Sequence, residues 1–535
     1  MEQMRKKYLS LLGPLLILLT TSHVQAYSIF GDEVENFLKE KVTFGGFIEN
    51  TTGLAVGPGD RRHFNTANHF DMNRFTILPE LNVKFRDDVK LFISWRFVKE
   101  PRYNMEARSR RRTVAPAPVE PLNNRFYDED SFKPWELVWD IVPTDRLSLR
   151  LGRQFISWGE SDGVRLLDVI NPQDLTFSPP AAPNLFSLDE TRIPLWGLKA
   201  LYTVPPGSNT ILEFFAMPGY DEAKKRVDDI VGSNDTADGL VKYGRWSSHP
   251  ETRMPFGRMF TNGLPGRSTI IPSTFRVLPN AGDDWRLGGR ILHTIGQLNF
   301  GLAYIYTYNP QASDMVFKLI GTSPGPGPTT IARLMLVNDR TSIYGAHFNY
   351  PVEVLKATLR GEVAFYPSKP YNISKFPGNA FRAGPDPKYP NGTVEKDTLR
   401  YVIGVDRSFF IPALHPDDPF RSFNFSFQLF QNIILDHEDG IHPFSTAEKI
   451  KKVSSILTLR VGTGYLGDTV LPDIFLGYDP DGYWTANPAV SYVPPWNEKI
   501  KLSLIGAIYG GHNKFKSFGF FDEKDSIFLK MRYQF

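Results

Sequence analysis

Apolar and polar residues alternate strictly along much of this chain, and most clearly at its carboxyl end. Over residues 526–535, the apolar positions are Ile527, Leu529, Met531, Tyr533 and Phe535. The positions between them are polar except for Phe528. A period of two is typical of a β-strand whose two faces meet different surroundings. Lipid on one face and water on the other would produce this pattern in a membrane barrel.

The same alternation recurs throughout the chain, in segments long enough to cross a bilayer at a tilt of about 45°. We predict 18 strands, at 41–50, 74–86, 89–98, 133–142, 145–157, 195–204, 209–217, 284–295, 297–308, 340–350, 354–366, 397–411, 421–433, 452–465, 470–478, 483–492, 499–510 and 525–535. Sixteen strands are the alternative, because the segments 470–478 and 483–492 alternate least clearly. The predicted fold class is therefore all-β, an antiparallel transmembrane barrel.

The connections between these strands alternate in length. Tight turns rich in Pro, Gly or Asp are found near 86–88, 143–145, 205–208, 295–297 and 351–353. Long irregular segments are found near 99–131, 158–194, 218–283, 309–339 and 367–396. This rhythm is typical of outer-membrane barrels with short periplasmic turns and long extracellular loops. Both termini are then periplasmic, and the number of strands is even.

The amino-terminal region predicts export. Basic residues at 5–7 precede the apolar run Leu9–Leu19, and Val24–Ala26 fits a small-residue cleavage site. We therefore assign residues 1–26 to a signal peptide. Residues 27–40 have apolar positions at helical spacing and predict a short periplasmic helix. Residues 41–535 form the predicted barrel.

Composition agrees with a barrel and excludes some functions. Only 41% of residues are hydrophobic, as expected when every second strand residue meets lipid, and 41 Phe and 22 Tyr suit interfacial girdles. The chain has no Cys, which excludes disulfides and thiolate metal sites. Its formal charge is +3, and loss of Arg5, Lys6, Lys7 and Glu2 with the signal peptide leaves +1. Net charge therefore predicts no nucleic-acid partner.

The most distinctive sequence motif in the chain is Leu151–Gln154, followed by Trp158–Ser161 and Val169–Asp174. It resembles the LGRQ–WGES–INP signature of a bacterial outer-membrane family catalogued as a conserved domain of unknown function. That family is more loosely similar to alginate-export-type porins. The resemblance implies a barrel without known catalysis over 41–535, and links some members with lipid or steroid handling beside inner-membrane transporters.

This signature segment is polar and follows a predicted strand directly. It folds either into the lumen, narrowing it, or into a structural clamp that does not touch the solute. The lumen-loop candidates are Glu160, Asp162, Arg165, Asp168 and Asp174.

The predicted lumen face is mainly basic on the eight strands with the clearest alternation. Its basic residues are Arg74, Lys84, Lys90, Arg96, Arg146, Arg150, Lys356, Arg360, Lys452, Arg460, Lys501, Lys530 and Arg532. Its acidic residues are Glu80, Glu136, Asp140 and Glu362. We predict that the pore is lined by Arg96, Arg150, Arg360, Arg460, Arg532, Lys356, Lys530, Glu362 and Glu80. Rings of Arg and Lys favour anions.

No enzyme is predicted. Gly321–Gly325 matches the G-x-S-x-G nucleophile motif, but Pro-Gly repeats follow it where a helix is required. Pro324 also lacks the N–H that the residue after the nucleophile donates to an oxyanion hole. The segment is interpreted as a flexible loop. We predict no cofactor and no metal site.

Phe535 and Tyr533 resemble the terminal signal by which the barrel-assembly machinery recognises outer-membrane strands. The resemblance implies outer-membrane localisation in a Gram-negative-type bacterium, with membrane lipid and lipopolysaccharide as partners. The first functional hypothesis is a channel for polar or anionic solutes. The second is a conduit for an apolar or amphipathic compound that works with a periplasmic partner, marked by an apolar groove leading to a lateral opening.

Overall fold

The computed structural model describes residues 39–56, 70–99, 101, 134–162, 164–171, 192, 194–205, 207–218, 270–276, 285–308, 316–324, 330–337, 340–373, 388–442, 449–511 and 525–535. The wall strands are β1 (Val42–Ala55), β2 (Phe70–Arg86), β3 (Val89–Ser94), β4 (Phe97–Lys99), β5 (Glu136–Thr144), β6 (Leu147–Gln154), β7 (Leu195–Thr203), β8 (Thr210–Met217), β10 (Arg286–Ile295), β11 (Leu298–Tyr308), β14 (Arg340–Val352), β15 (Ala357–Ile373), β16 (Thr393–Phe410), β17 (Ser422–Ile434), β19 (Val453–Gly462), β20 (Val470–Asp479), β21 (Tyr483–Tyr492), β22 (Ile500–Gly511) and β23 (Ser526–Gln534). The other strands are β9 (Ile270–Arg276), β12 (Val316–Pro324), β13 (Thr330–Val337) and β18 (Ile441–His442).

The wall is a closed antiparallel barrel of 18 staves, in which β3 and β4 together form one stave. Each stave pairs with the next along the chain, and β1 closes the ladder on β23 from Phe47↔Gln534 to Ala55↔Ser526. Closure leaves no sheet edge, so every wall strand has hydrogen-bonding neighbours on both sides. The predicted fold class is confirmed, and the strand number is 18 rather than 16, because β20 and β21 pair along their whole length.

Strand ends differ from the prediction where the chain leaves the membrane. The neighbouring strands β15 and β16 continue to Ile373 and back to Thr393, well beyond the predicted ends, and stay paired there. In the opposite sense, β6 stops at Gln154 although the alternation predicted a strand to residue 157. The chain turns inward at that point.

All but one of the short connections lie at one rim of the barrel, which we call the turn rim, together with the end of β23. The long connections lie at the opposite rim, which we call the loop rim. One tight turn also lies there, between β20 and β21, where Asp481 N–H donates to the Asp479 side chain. The predicted alternation of short and long connections therefore has this one exception.

The alternation at the carboxyl end separates the two faces of the wall. Ile527, Leu529, Met531 and Tyr533 are exposed on the outside, whereas Ser526, Phe528 and Lys530 are buried on the lumen side. Phe528, which interrupts the polar face, packs inside the barrel with Met72, Ile505, Ala507 and Tyr509. Part of the lumen near this seam is therefore filled by apolar side chains rather than by water.

Three strands missed from the sequence lie in segments predicted to be irregular. They are β9, β12 and β13, which form a small separate sheet. Gly321 and the next three residues belong to β12, paired with β13. The flexible-loop interpretation of the G-x-S-x-G match is therefore wrong for residues 321–324, which form part of a strand.

Several predictions concern residues outside the described part of the chain. They are the signal peptide 1–26, nearly all of the segment 27–40 and Asp174. Residues 39–41 are helical and lead directly into β1. Among the helices within the described ranges, none has the length and apolar character needed to span a membrane.

The two faces of the wall predict opposite responses to the same substitution. Leu504 lies outside, in the middle of β22 between Val490 and Leu529, and is 54% exposed. We expect Leu504→Arg to lower the free energy of folding into lipid vesicles by about 2–4 kcal/mol, because it places a charge in hydrocarbon. Thr358→Arg, which points into a lumen cavity, is the control and should cost much less. Equal losses in urea titrations would contradict the assignment of the two faces.

The last residue of the chain closes the seam at the turn rim. Phe535 N–H donates to the Gly46 carbonyl at 3.0 Å, and its ring stacks on Phe44 at 5.4 Å between centroids. We expect Phe535→Asp to reduce the yield of folded barrel, read as loss of the heat-dependent shift in gel migration. The neighbouring substitution Gln534→Asp is the control. Equal yields for both variants would show that the terminal aromatic ring is dispensable.

Candidate functional site: an inward loop across the lumen

The signature segment forms a loop, described at residues 155–162 and 164–171 and called the loop 155–171, whose base is closed by two buried amides. The Gln154 side chain donates to the carbonyls of Arg150 and Gly197, at 3.0 and 2.9 Å. The Asn171 side chain accepts the Ile156 N–H at 2.8 Å and donates to the Gln154 carbonyl at 3.1 Å. These amides replace ladder bonds where β6 ends, so the chain can leave the wall without orphaned backbone groups.

Arg153, between these positions, ties the base of the loop to its neighbours. Its guanidinium donates to the carbonyls of Pro134 and Pro194, at 2.9 and 3.3 Å, and lies over the Trp135 ring. Pro134 precedes β5 and Pro194 precedes β7. The start of the inward loop is therefore fastened to both adjacent staves.

Trp158 begins the inward path. It is buried, its indole N–H donates to Glu213 on β8 at 3.0 Å, and its ring packs edge-on against Phe215. The Glu213 carboxylate also receives Arg290 at 2.7 Å and Lys199 at 3.3 Å. This acid is thus neutralised by two cations while it positions the indole.

Glu362 on β15 is the main anchor on the far side. This strand is six staves from β6 along the ladder. The Glu362 carboxylate accepts the backbone N–H groups of Glu160 and Leu167, at 2.6 and 2.5 Å, and the Glu362 side chain is almost fully buried. Gly159 allows this approach: its φ is +101°, and a Cβ there would lie 2.4 Å from the carboxylate.

Arg360, two residues earlier on the same face of β15, makes a second anchor. It donates to the Glu160 carbonyl at 2.6 Å and to the Asp162 carboxylate at 2.7 Å. It also bonds to Asp406 on β16 at 3.0 Å. On β17, eight staves from β6, Gln428 accepts the Asp162 N–H at 3.1 Å. The loop therefore reaches almost to the opposite wall.

The inner part of the loop is held by a buried charge cluster. Asp168 forms ion pairs with Arg165 and Arg192, and Arg165 also donates to the Asn171 carbonyl at 2.6 Å. Burial lowers the pKa of the Arg165 guanidinium to about 10, although Asp168 opposes this shift. The side chain therefore stays protonated at neutral pH. Of the five lumen-loop candidates, all four within the described residues lie in this inward loop.

Three of the predicted pore-lining arginines pair with acids on the wall. Arg150 lies 3.5 Å from Asp140, directly across the ladder. Two guanidinium nitrogens of Arg460 lie 2.8 and 2.7 Å from a carboxylate oxygen of Asp473. Arg532 pairs at 2.6 Å with a further acid, Glu49 on β1. With Arg360, already held by Asp162 and Asp406, four of the five named arginines are in ion pairs.

The remaining candidates occupy more varied positions. Arg96 lies in the gap between β3 and β4, with its guanidinium 4.7 Å from the Trp135 ring. Glu80 is half-buried on the lumen face of β2, and Lys530 bonds to Glu49 at 3.0 Å. Lys356 ends the turn before β15 in a left-handed conformation. The insertion-signal residues Tyr533 and Phe535 lie on the outer face at the seam.

A cavity of about 1260 Å³ lies between the inward loop and the turn rim. It reaches Asp406 and Ser426, which contact Arg360, so its upper end meets the anchor of the loop. Its basic lining residues are Lys356, Arg407, Arg421, Arg460, Lys501, Lys530 and Arg532. Its acidic lining residues are Glu353, Asp406, Asp468 and Asp473. The arrangement is a charged, hydroxyl-rich vestibule below a constriction.

The sequence count of lumen charges missed four acids that the structure places on this face: Glu49, Glu213, Asp406 and Asp473. Each lies within a predicted strand, so its face could have been assigned from the alternation. The count covered only the eight clearest strands, and these acids lie on four others. Lys199, Arg290 and Arg407 were left out of the count in the same way, so thirteen against four is not the full charge balance of the lumen. Within the described ranges no three metal-ligating side chains come together as a candidate metal site.

The two bonds to Glu362 predict that this single carboxylate holds the loop in place. We expect Glu362→Ala to leave both N–H groups unsatisfied, at a cost of about 1–3 kcal/mol each. Hydrogen exchange at the amides of Glu160 and Leu167 should then accelerate, and limited proteolysis should cut the loop. Glu80→Ala, which removes a half-buried lumen acid that makes no contact with the loop in the described residues, is the control. Unchanged exchange in Glu362→Ala would refute the anchor.

Comparison with known proteins places the chain in a family and leaves its function open. The solved structures found include Acinetobacter baumannii OccAB4, at 8% identity and a TM-score of 0.45, covering 92% of this chain and 98% of that one. The Pseudomonas aeruginosa outer membrane protein OpdK is 9% identical with a TM-score of 0.41, covering 93% and 99%. Comparison with curated proteins gave no significant match. The family profile described as a protein of unknown function (DUF1302) matches residues 10–535, which confirms the resemblance carried by the signature: the chain belongs to the DUF1302 family.

Proposed function

We propose that this protein is a constricted outer-membrane channel that passes small polar solutes, with anions preferred, and performs no catalysis. The observation that carries the proposal is the loop 155–171, fastened across the lumen above a charged cavity. Glu362 and Arg360 fix that loop from the far wall. A loop that narrows the lumen at one level selects solutes by size and charge while the wall stays rigid.

The location proposed for this channel is the outer membrane of a Gram-negative-type bacterium. Supporting it are the closed wall, its exposed apolar outer face and the terminal aromatic residue at the seam. We place the turn rim in the periplasm, because short turns are periplasmic in barrels of this class. Export through the cleaved segment 1–26 and insertion by the barrel-assembly machinery belong to the same proposal.

The chemistry of the vestibule favours polar solutes over the apolar alternative. Its lining combines charged residues with Ser and Thr hydroxyls, among them Ser422, Ser426 and Thr463. An apolar compound would have to desolvate these groups without replacing their hydrogen bonds, which is unfavourable. The apolar side chains that do lie inside the barrel, around Phe528, are packed against one another. Their contacts with one another favour a role in packing the wall over a role in lining a path for an apolar compound.

A modest anion preference follows from the charge balance of the vestibule. Its lining has seven basic and four acidic residues, and most of the acids are neutralised by neighbouring arginines. Purified protein in planar bilayers should conduct, with a reversal potential in asymmetric KCl that indicates chloride preference. The preference should fall at high salt, because the Debye length shortens to about 3 Å at 1 M. Absence of conductance, or preference for potassium, would refute the proposal.

The constriction predicts a second electrical result. If the loop limits the current, Glu362→Ala should raise the mean single-channel conductance or add large fluctuations, since the released loop no longer occupies one position. Glu80→Ala should leave the conductance steady. Identical traces for the wild type and Glu362→Ala would show that the loop does not limit the passage of ions.

A further inference from the structure

The acids of the vestibule are almost all neutralised in place. Arg360 pairs with Asp406, Arg421 with Asp468, and Arg460 with Asp473. Each pair joins neighbouring strands or turns of the wall, so each of these arginines already has an acidic partner in the wall. Positive charge that remains for a solute must come from elsewhere in the lining.

Lys501 on β22 supplies such a charge. It faces the cavity, directly across the ladder from Arg532. Within the residues that the structure describes, no hydrogen bond or ion pair engages its ammonium group. Its charged neighbours are Lys530, Arg532, Arg460 and Asp473, of which only Asp473 is acidic. Asp473 already accepts hydrogen bonds from Arg460.

The two neighbours on β23 have one carboxylate in common. Lys530 and Arg532 share one oxygen of the Glu49 carboxylate, at 3.0 and 2.6 Å. With Lys501, three cations therefore lie close together on adjacent strands, near Glu49 and the already paired Asp473. Mutual repulsion of such a group is relieved when an anion binds between its members.

Neutral hydrogen-bonding groups border the same place. Ser503 lies opposite Lys530 in the ladder, and its hydroxyl is 2.8 Å from that of Ser491. Both serines line the cavity. A carboxylate or phosphate has several acceptor oxygens, and ammonium, guanidinium and hydroxyl groups are matching donors.

We propose that Lys501, Lys530 and Arg532, with Ser503, form a binding site for the carboxylate or phosphate group of a small organic anion in the vestibule of this channel. The inference rests on the proposed function and extends it, because it names the chemical class of the solute and the place where that solute binds. The cavity of about 1260 Å³ is far larger than one anionic group. It therefore leaves room for the rest of a small solute beside the site.

Binding can be measured without conduction, by isothermal titration of the folded full-length protein in detergent. The probes are succinate, inorganic phosphate and the uncharged erythritol. We expect succinate or phosphate to bind saturably and erythritol not to bind. Saturation by succinate alone assigns a carboxylate site, and saturation by phosphate alone assigns a phosphate site. Absence of binding by both anions would overturn the inference, even if the protein conducts ions in bilayers.

Two variants with opposite expected effects separate the site from general surface charge. Lys501→Gln should weaken anion binding about five- to tenfold, the loss of one charge-assisted contact. Glu49→Gln should tighten it, because it frees Lys530 and Arg532 from their shared carboxylate, and a misfolded protein would not mimic that gain. Lys499→Gln, two residues away on the turn rim, is the matched control. Equal affinities for Lys501→Gln and Lys499→Gln, or weaker binding in Glu49→Gln, would refute the site.

Discussion

Closure of the backbone ladder is the constraint on which the rest of this structure depends. Hydrocarbon offers no hydrogen bonds, so each wall strand must find its partners in the two adjacent strands, and β1 must meet β23. Closure then separates an outer face, where Leu504 and Leu529 meet lipid, from an inner face where charges can be retained. The inward loop follows the same rule. Where it leaves the ladder, the side chains of Gln154 and Asn171 take over the bonds that strands would have made.

The inner face is a network of compensated charges rather than a uniform basic surface. Glu213, Glu362 and Asp168 are each buried, and each contacts cations or backbone N–H groups. Buried carboxylates are stable only with such partners. This explains why the loop is placed so specifically: its own N–H groups are among the partners that Glu362 requires. It also explains why Lys501, which lacks a partner among the described residues, stands out.

Strand positions and faces were predictable from the sequence, because alternation is a local signal that each strand carries independently. The charge pairs were not, since they join residues as distant in sequence as Glu49 and Arg532. The position of the loop was left open for the same reason. Its polarity fitted either a lumen segment or a clamp, and only contact with Glu362 and Gln428 decides between them. The sheet of β9, β12 and β13 was missed because Pro and Gly residues in and beside these strands predicted irregular structure.

The distance along the chain between the inward loop and its anchor has a consequence for how the barrel is assembled. Glu160 and Glu362 are separated by 202 residues. The loop emerges with the fifth stave, but its acceptor belongs to the eleventh, so the loop cannot dock until most of the wall exists. Contacts of such high sequence separation form late in folding, after the entropy of the intervening chain has been lost. The narrowing of the lumen is therefore a late event in folding, because a wall of fewer than eleven staves lacks the anchor on β15.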